Sequence, residues 1–448
     1  MQDINEGSTQ RSHDQAGSDA TPIPAPAPAT RAKTGAAPVV QDGLGDAVAI
    51  LQRGGLVAVP TETVYGLGAD ARNPAALARL YKVKGRPDTH PVIVHIADAE
   101  GIDEWAREIP DYARALAARF WPGPLTLVLK RAQGEHAVLD EVTGGQDSVG
   151  LRVPSHPVAM QLLQALSFQH GENGPHYFGL AAPSANRFGR VSPTQAEHVQ
   201  ADLGGDVDLI IDGGPCEVGI ESTIVDCTGD APVILRPGRI AAADIQAVAG
   251  VDLAAPGEDA PRAPGTLAAH YAPRAKLRLL KRSGIIEVVT ANKGHRIGVL
   301  ALEVPVVRIS AALCVVVPAV ATAYAKALYA NLRTLDAAGA DLILVEMPPE
   351  TPSWAGVMDR LHRAATPEDL LKAKRPKFDK SKFSSKKQTA ESDTTTVDVA
   401  DGISIEVADN VTVVSEADVD ASPASEVIAA TVQVDGNTAV PEDHSEKP

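Results

Sequence analysis

Leu56–Ala71 reads LVAVPTETVYGLGADA, and its interpretation decides the fold. Leu56–Pro60 is a short apolar run of the kind that forms a buried strand. Gly66–Ala71 (GLGADA) then fits a relaxed G-x-G-x-x-A dinucleotide fingerprint. That fingerprint works only when its first glycine lies directly between a strand and its helix, with an acidic residue about 20 positions on. Here PTETVY follows the strand, and the next helix signal is Asn73-Pro74, an N-cap residue with proline at the first helical position. The dinucleotide reading therefore fails, and without a G-x-x-x-x-G-K-[ST] run no P-loop holds a nucleotide. What remains is a strand end carrying Thr61, Glu62 and Thr63, where side chains can face a cleft.

Outward from this stretch, strand-like and helix-like segments alternate. Pro91–Ala97, Leu125–Lys130, Ser148–Val153, Gly179–Pro183, Leu209–Asp212, Ser222–Asp226 and Val233–Arg236 read as strands. Helices are expected near His156–Leu166 and Thr194–Leu203, and after Asn73 with Leu77, Leu80 and Tyr81 on one face. This predicts one α/β domain over residues 42–252. A linker rich in Ala, Pro and Gly follows at 253–278. Ile285–Thr290, Ile297–Leu302 and Asp341–Glu346, read as strands around a long Ala/Leu helix at Ala319–Ala338, predict a second, smaller α/β unit over 279–372 with a parallel sheet.

The ends differ from the body. Residues 1–41, centred on PIPAPAPAT, and the tail 373–448 have compositions too poor in apolar residues to offset chain entropy, and both are expected to be disordered. The chain carries a net charge of −16 over 448 residues. Gln388–Pro448 holds 14 Asp/Glu against Lys447 alone, and Lys372–Lys387 holds eight Lys/Arg against one Asp, which leaves −10 on residues 1–371. An acidic body argues against a general nucleic-acid coater. Three cysteines without a C-x-x-C pair exclude a disulfide framework and a cysteine zinc site. With no signal-like or membrane-spanning stretch, a cytoplasmic protein without membrane contact is expected.

The candidate ligand groups recur at strand ends. Lys82-Val83-Lys84-Gly85-Arg86 sets three cations within five residues, beside a glycine that permits close backbone approach, and His90 and His95 follow. Ser148-Val149-Gly150-Leu151-Arg152 alternates a hydroxyl and a guanidinium. Ala182-Pro183-Ser184-Ala185-Asn186, Ser192-Pro193-Thr194, Glu221-Ser222-Thr223 and Leu235-Arg236-Pro237 add hydroxyls, an amide and a further arginine. Each alone is compatible with capping or surface solvation. Together, small hydroxyls, glycines and arginines at strand exits favour an anionic ligand.

PTETVYGLGADA, LYKVKGRPDTHPVIVHI, FWPGPLTLVL, VGLRVPSHP, LAAPSANRFGRVSPT, GIESTIVD, ILRPG and PGTLAAHYAPRA occur in this order. They resemble the YrdC-like family in its two-domain form, the L-threonylcarbamoyladenylate synthases that supply the threonylcarbamoyladenosine pathway of tRNA. The likeness runs from about Gly43 to Ala275 and more loosely to Leu371. It implies a twisted mixed-sheet catalytic domain with a small Rossmann-like α/β domain behind it. It implies an L-threonine pocket of Thr63, His95, Arg152, Ala182 and Ser222. For ATP it implies Arg86, His90, Ser148, Ser184, Ser192, Arg236 and Tyr271, with Lys82, Lys84 and Asn186 as additional phosphate contacts. Mg²⁺ is expected with ATP, its ligands unassigned, and bicarbonate, tRNA and a downstream threonylcarbamoyl-transferase complex are the remaining expected partners. The acidic tail is no feature of that family.

The implied reaction needs alignment and phosphate neutralisation more than a protein nucleophile. No catalytic acid, base or nucleophile is therefore assigned, and Glu62 is expected to hold the threonine loop. The linker is expected to act as a lid, with Tyr271 extended ahead of a proline, its ring over the adenylate and its hydroxyl on a phosphate; a tyrosine packed between domains is the bland alternative. An RNA-binding or regulatory module of the same fold, or a carbamoyl-adenylate enzyme with another acceptor, is the competing function.

Overall fold

The computed structural model describes residues 36–134, 137–167, 178–267, 269–292, 294–303 and 312–366, and the backbone of 395–399 and 403–407. Ten strands form one mixed sheet: β1 (Val39–Val40), β2 (Val57–Val59), β3 (Gly66–Asp70), β4 (Ile93–His95), β5 (Leu125–Lys130), β6 (Ser148–Arg152), β7 (Leu180–Ala181), β8 (Leu209–Ile211), β9 (Thr223–Asp226) and β10 (Val233–Arg236). Their order across the sheet is β1-β8-β2-β3-β7-β4-β6-β5-β9-β10. GLGADA is thus no phosphate turn: it runs antiparallel to β2, with Gly68 opposite Val57.

Helix 74–84 shows why local signals place the cation motif. Asn73 Oδ1 accepts the Ala76 amide at 3.1 Å, Pro74 starts the first turn, and Gly85 ends the helix at φ 63°, where a Cβ would be strained. Leu77, Leu80 and Tyr81 are buried on the predicted face. The chain leaves this cap directly into Arg86. Two further helices, Leu44–Gln52 and Asp111–Phe120, were not foreseen.

Beyond residue 275, β11 (Lys276–Leu280), β12 (Ile297–Leu302), β13 (Ala312–Val317) and β14 (Leu342–Glu346) make an all-parallel sheet in the order β11-β14-β12-β13. Ile285–Thr290, expected as a strand, lies in helix Arg282–Ala291 instead. Ile285 and Val289 are four residues apart on its buried face, a helical spacing that a short apolar run conceals. The strand it was taken for is β11, three residues of which fall inside the stretch expected as linker. The other face of the sheet is covered by helices 321–337 and 355–364.

Two departures concern the ends. Val39 and Val40, within the expected leader, pair with Ile210 and Ile211, because a parallel neighbour gives their backbone groups partners. In the tail, β15 (Thr395–Val399) and β16 (Ile403–Val407) pair antiparallel around Asp401-Gly402, a turn signal between β-branched runs. Residues 1–35 of the leader, and the tail apart from β15 and β16, lie outside the described residues. No helix among the described residues is long and apolar enough to cross a membrane.

Candidate active site

A cleft with about 650 Å³ of empty space, its open mouth included, lies where β3, β4, β6 and β9 end against the linker. Thr63, His95, Arg152, Ala182 and Ser222, from five separate segments, all reach its wall. Arg86, Ser184, Arg236 and Tyr271 do so as well, with Lys84 and Asn186. The remaining expected residues are placed otherwise. Ser148 lines a smaller adjoining cavity that shares Ile93 and Pro264 with the first. His90 is not among the lining residues; its ring centre lies 5.5 Å from that of Phe188, which lines the cleft, in a T-shaped contact. Ser192 is fully buried and donates to Glu221 at 2.5 Å. Lys82 is exposed on the opposite side of its helix from buried Lys84, so it makes no part of this wall.

Arg152 organises one end. Its Nη2 is 2.7 Å from Glu62 Oε1, its Nη1 donates to Thr63 Oγ1 at 2.9 Å and its Nε to the Gly123 carbonyl at 3.1 Å. Glu62 also accepts the Ser155 amide at 3.1 Å. Burial alone would raise the Glu62 pKa, but the Arg152 charge and hydrogen bond overcome it and hold the carboxyl below its ordinary value. His95 sits beside this pair, and burial with the Arg152 charge keeps its imidazole neutral. Ser222 Oγ is 2.8 Å from Thr126 Oγ1. The result is an arginine in a nest of small hydroxyls, which suits the carboxylate and hydroxyl of an amino acid.

The other end collects cations that form no ion pair among the described residues; Glu221, which also lines the cleft, is engaged by Arg360 instead. Lys84 Nζ donates to the carbonyls of Ser184 at 2.5 Å and Asn186 at 2.8 Å. Arg86 donates to Pro91 O at 2.6 Å, and Arg236 to Ser222 O and Pro264 O at 2.8 and 2.9 Å. Burial lowers the pKa of Arg86 to about 10 and depresses Arg236 and, strongly, Lys84. His270, which sequence reasoning left unassigned, joins the wall; burial leads in pushing its pKa to about 3. A cluster of this kind is costly until an anion enters.

Tyr271 departs from expectation. Its φ is 59°, left-handed and not extended, because the residue restrained by Pro273 is Ala272. The ring is buried and stacks on Tyr329 at 5.8 Å, so much of the interface reading holds. Its hydroxyl, however, turns to the cleft wall, taking the space a Cβ at Gly265 would need, and has no hydrogen-bond partner among the described residues. An unpartnered buried phenol of this kind leaves a donor available to a ligand.

Glu221 and Arg360 are the functional-looking residues missed from sequence. Glu221 lies within a recognised motif but next to the serine that drew attention; Arg360 is 139 positions away with no motif around it.

An arginine among small hydroxyls at one end of a cleft and a cluster of buried cations at the other, on a mixed α/β fold, is the arrangement of an enzyme that acts on small anionic ligands. The comparisons with known proteins narrow it. Residues 49–238 match the Sua5, YciO and YrdC family described as telomere recombination, and residues 240–366 the threonylcarbamoyl-AMP synthase C-terminal domain. The chain is 40% identical over 332 residues to the threonylcarbamoyl-AMP synthase of Bacillus subtilis, covering 72% of this chain and 92% of that one. It is 39% identical to the synthase of Pyrococcus abyssi, over 71% and 93%. The crystal structure of P. abyssi Sua5 complexed with L-threonine superposes with a TM-score of 0.65 at 36% identity, over 73% of this chain and 97% of that one. The chain belongs to the threonylcarbamoyl-AMP synthase family, and is an enzyme of the nucleotidyltransferase type.

Proposed function

We propose that this enzyme condenses L-threonine, bicarbonate and ATP to threonylcarbamoyl-AMP and pyrophosphate, and that the cleft between the large sheet and the linker is where it does so. The observation that carries this reading is the division of one cavity into a hydroxyl-lined arginine end and an end whose cations, Lys84, Arg86 and Arg236, form no ion pair among the described residues. Threonine lies with its carboxylate toward Arg152 and its side chain among Thr63, His95 and Ser222. The triphosphate lies toward Arg86, Arg236, Lys84 and Ser184, with the Tyr271 hydroxyl and His270 closing that end.

The threonine amine takes up bicarbonate with loss of water, giving a carbamate. A carbamate oxygen then attacks the α-phosphorus, the bond to the β-phosphate oxygen breaks, and pyrophosphate leaves. The cation cluster neutralises charge that builds on the departing phosphates without rearranging during the step. Pro264 and Gly265 of the linker roof the cavity, limiting hydrolysis of the mixed anhydride. Residues 42–252, a linker that ends at 275, just ahead of β11, and the small unit from there to 366 form the working division of the chain.

A resident metal does not fit this wall. Among the described residues no three His, Cys, Asp or Glu side chains group as ligands, and Glu62 and Glu221 are both engaged by arginines. Mg²⁺ therefore arrives with the nucleotide, held by phosphates and water. The product is destined for tRNA through a separate transferase in the cytoplasm.

The test is pyrophosphate release from ATP with threonine and bicarbonate supplied singly and together. Release only with both supports the reading; release indifferent to threonine points to another acceptor, and none at all to a binding module.

A further inference from the structure

The small parallel-sheet unit packs against the back of the cleft wall, and Arg360 and Tyr329 both meet Glu221 there. Arg360, on helix 355–364, is fully buried although nothing in the proposed chemistry uses it. Its Nε donates to Glu221 Oε2 at 2.7 Å, its Nη2 to the Glu221 carbonyl at 3.1 Å, and its Nη1 to the Pro237 carbonyl at 2.8 Å. Glu221 immediately precedes Ser222, and Pro237 immediately follows Arg236. One guanidinium thus ties together the two strand ends that supply a threonine-side hydroxyl and a phosphate-side cation. The same guanidinium lies 5.4 Å from the centre of the Tyr271 ring.

The surroundings make this contact rigid. Tyr329, from helix 321–337, donates to the same Glu221 oxygen at 2.9 Å and stacks on Tyr271, while Ser192 donates to the other oxygen. Glu221 therefore has its carboxylate fully engaged, and its pKa, which burial would raise, is pulled to about 2 chiefly by Arg360 and Arg236. Helix 355–364 comes this close because Gly356 has no side chain; a Cβ there would stand 2.8 Å from the Gly238 carbonyl.

We propose that Arg360 is a positioning residue for the synthase site: it fixes Ser222, Arg236 and Tyr271 relative to one another, so the small unit completes the cleft. The inference rests on the synthase reading above. A lysine at this position keeps a positive charge by Glu221 but cannot span the carboxylate and two carbonyls at once.

The experiment uses the full chain and calorimetric titration of ATP, and of L-threonine, into wild type, Arg360→Lys, Tyr329→Phe and Leu344→Ala. Leu344 is buried on the far face of the small sheet and serves as a control for destabilisation alone. Arg360→Lys is expected to weaken both ligands roughly tenfold or more, the scale of a lost charge-assisted contact. Tyr329→Phe, which deletes one hydroxyl and keeps the packing, should weaken both by about fivefold and carries the test if Arg360→Lys does not fold. Leu344→Ala should lower the melting temperature yet bind both ligands as wild type does. Wild-type affinities in the folded Arg360 or Tyr329 variant would overturn the proposal, as would equal loss in Leu344→Ala. A wild-type protein that binds neither ligand would overturn the synthase reading and this inference with it.

Discussion

The two ends of the cleft bury positive charge in opposite ways. At the threonine end Arg152 is matched by Glu62, both side chains about 5% exposed or less, and the pair is complete before any ligand arrives. At the phosphate end Lys84, Arg86 and Arg236 make no ion pair among the described residues and lean on backbone carbonyls. On the reading proposed above, the first arrangement gives a shaped, nearly neutral pocket for a small zwitterion, and the second holds desolvated charge that a polyphosphate would relieve. Shape thus selects at one end, and charge at the other.

The hardest strike on this contrast is Glu62→Gln. It leaves Arg152 buried without a counterion, so urea unfolding should show a loss of about 3–5 kcal/mol. A loss below 1 kcal/mol would mean the pair is not what stabilises this end. Next in size, Arg86→Ala should leave the melting temperature of the ligand-free protein close to wild type while weakening ATP by about 1.5–3 kcal/mol in calorimetry. If instead ligand-free stability falls as far as it does in Glu62→Gln, the two ends are not built differently.

A pH series sharpens the contrast further. His270 has a folded pKa of about 3 against an ordinary value of 6.5. The unfolded chain therefore binds the extra proton between these values, so the contribution of His270 is full above pH 6.5 and is lost as pH falls toward 3. In that window each such histidine contributes a slope of up to about 1.4 kcal/mol per pH unit. His270→Gln should flatten the measured slope of unfolding free energy between pH 6 and 4 by that amount; an unchanged slope would place His270 in a wetter setting. The smallest effect belongs to the surface. Arg114 and Asp103 pair at 2.5 Å but are 46% and 62% exposed, so Arg114→Ala should cost less than about 1 kcal/mol. A larger loss in thermal melts would show that burial is not what separates strong from weak pairs here.

Much of this was visible in the linear chain because its causes are local. Apolar runs mark strands wherever both faces are covered, and Asn73-Pro74 and Gly85 bound a helix by backbone rules that need no partner. The motif hydroxyls and arginines stand at strand ends because sheets deliver side chains there, which points to an anionic ligand; it is the resemblance to the YrdC-like family that groups Thr63, His95, Arg152 and Ser222 into one pocket. Short apolar runs were less secure, since Ile285–Thr290 carries too few residues to separate a period of 2 from 3.6.

Tertiary packing decided what depends on distance in the chain. Lys84 turns inward and Lys82 outward because the helix puts them about 200° apart around its axis. Tyr271 takes a left-handed backbone, its ring against Tyr329 and its hydroxyl in the gap at Gly265, a placement that the pre-proline rule, which acts on Ala272, does not address. Arg360 meets Glu221 across 139 residues, in a contact no periodicity or motif signals. A solvent-facing arginine and a buried one look the same in sequence; desolvation separates them, and desolvation is a property of the folded surroundings.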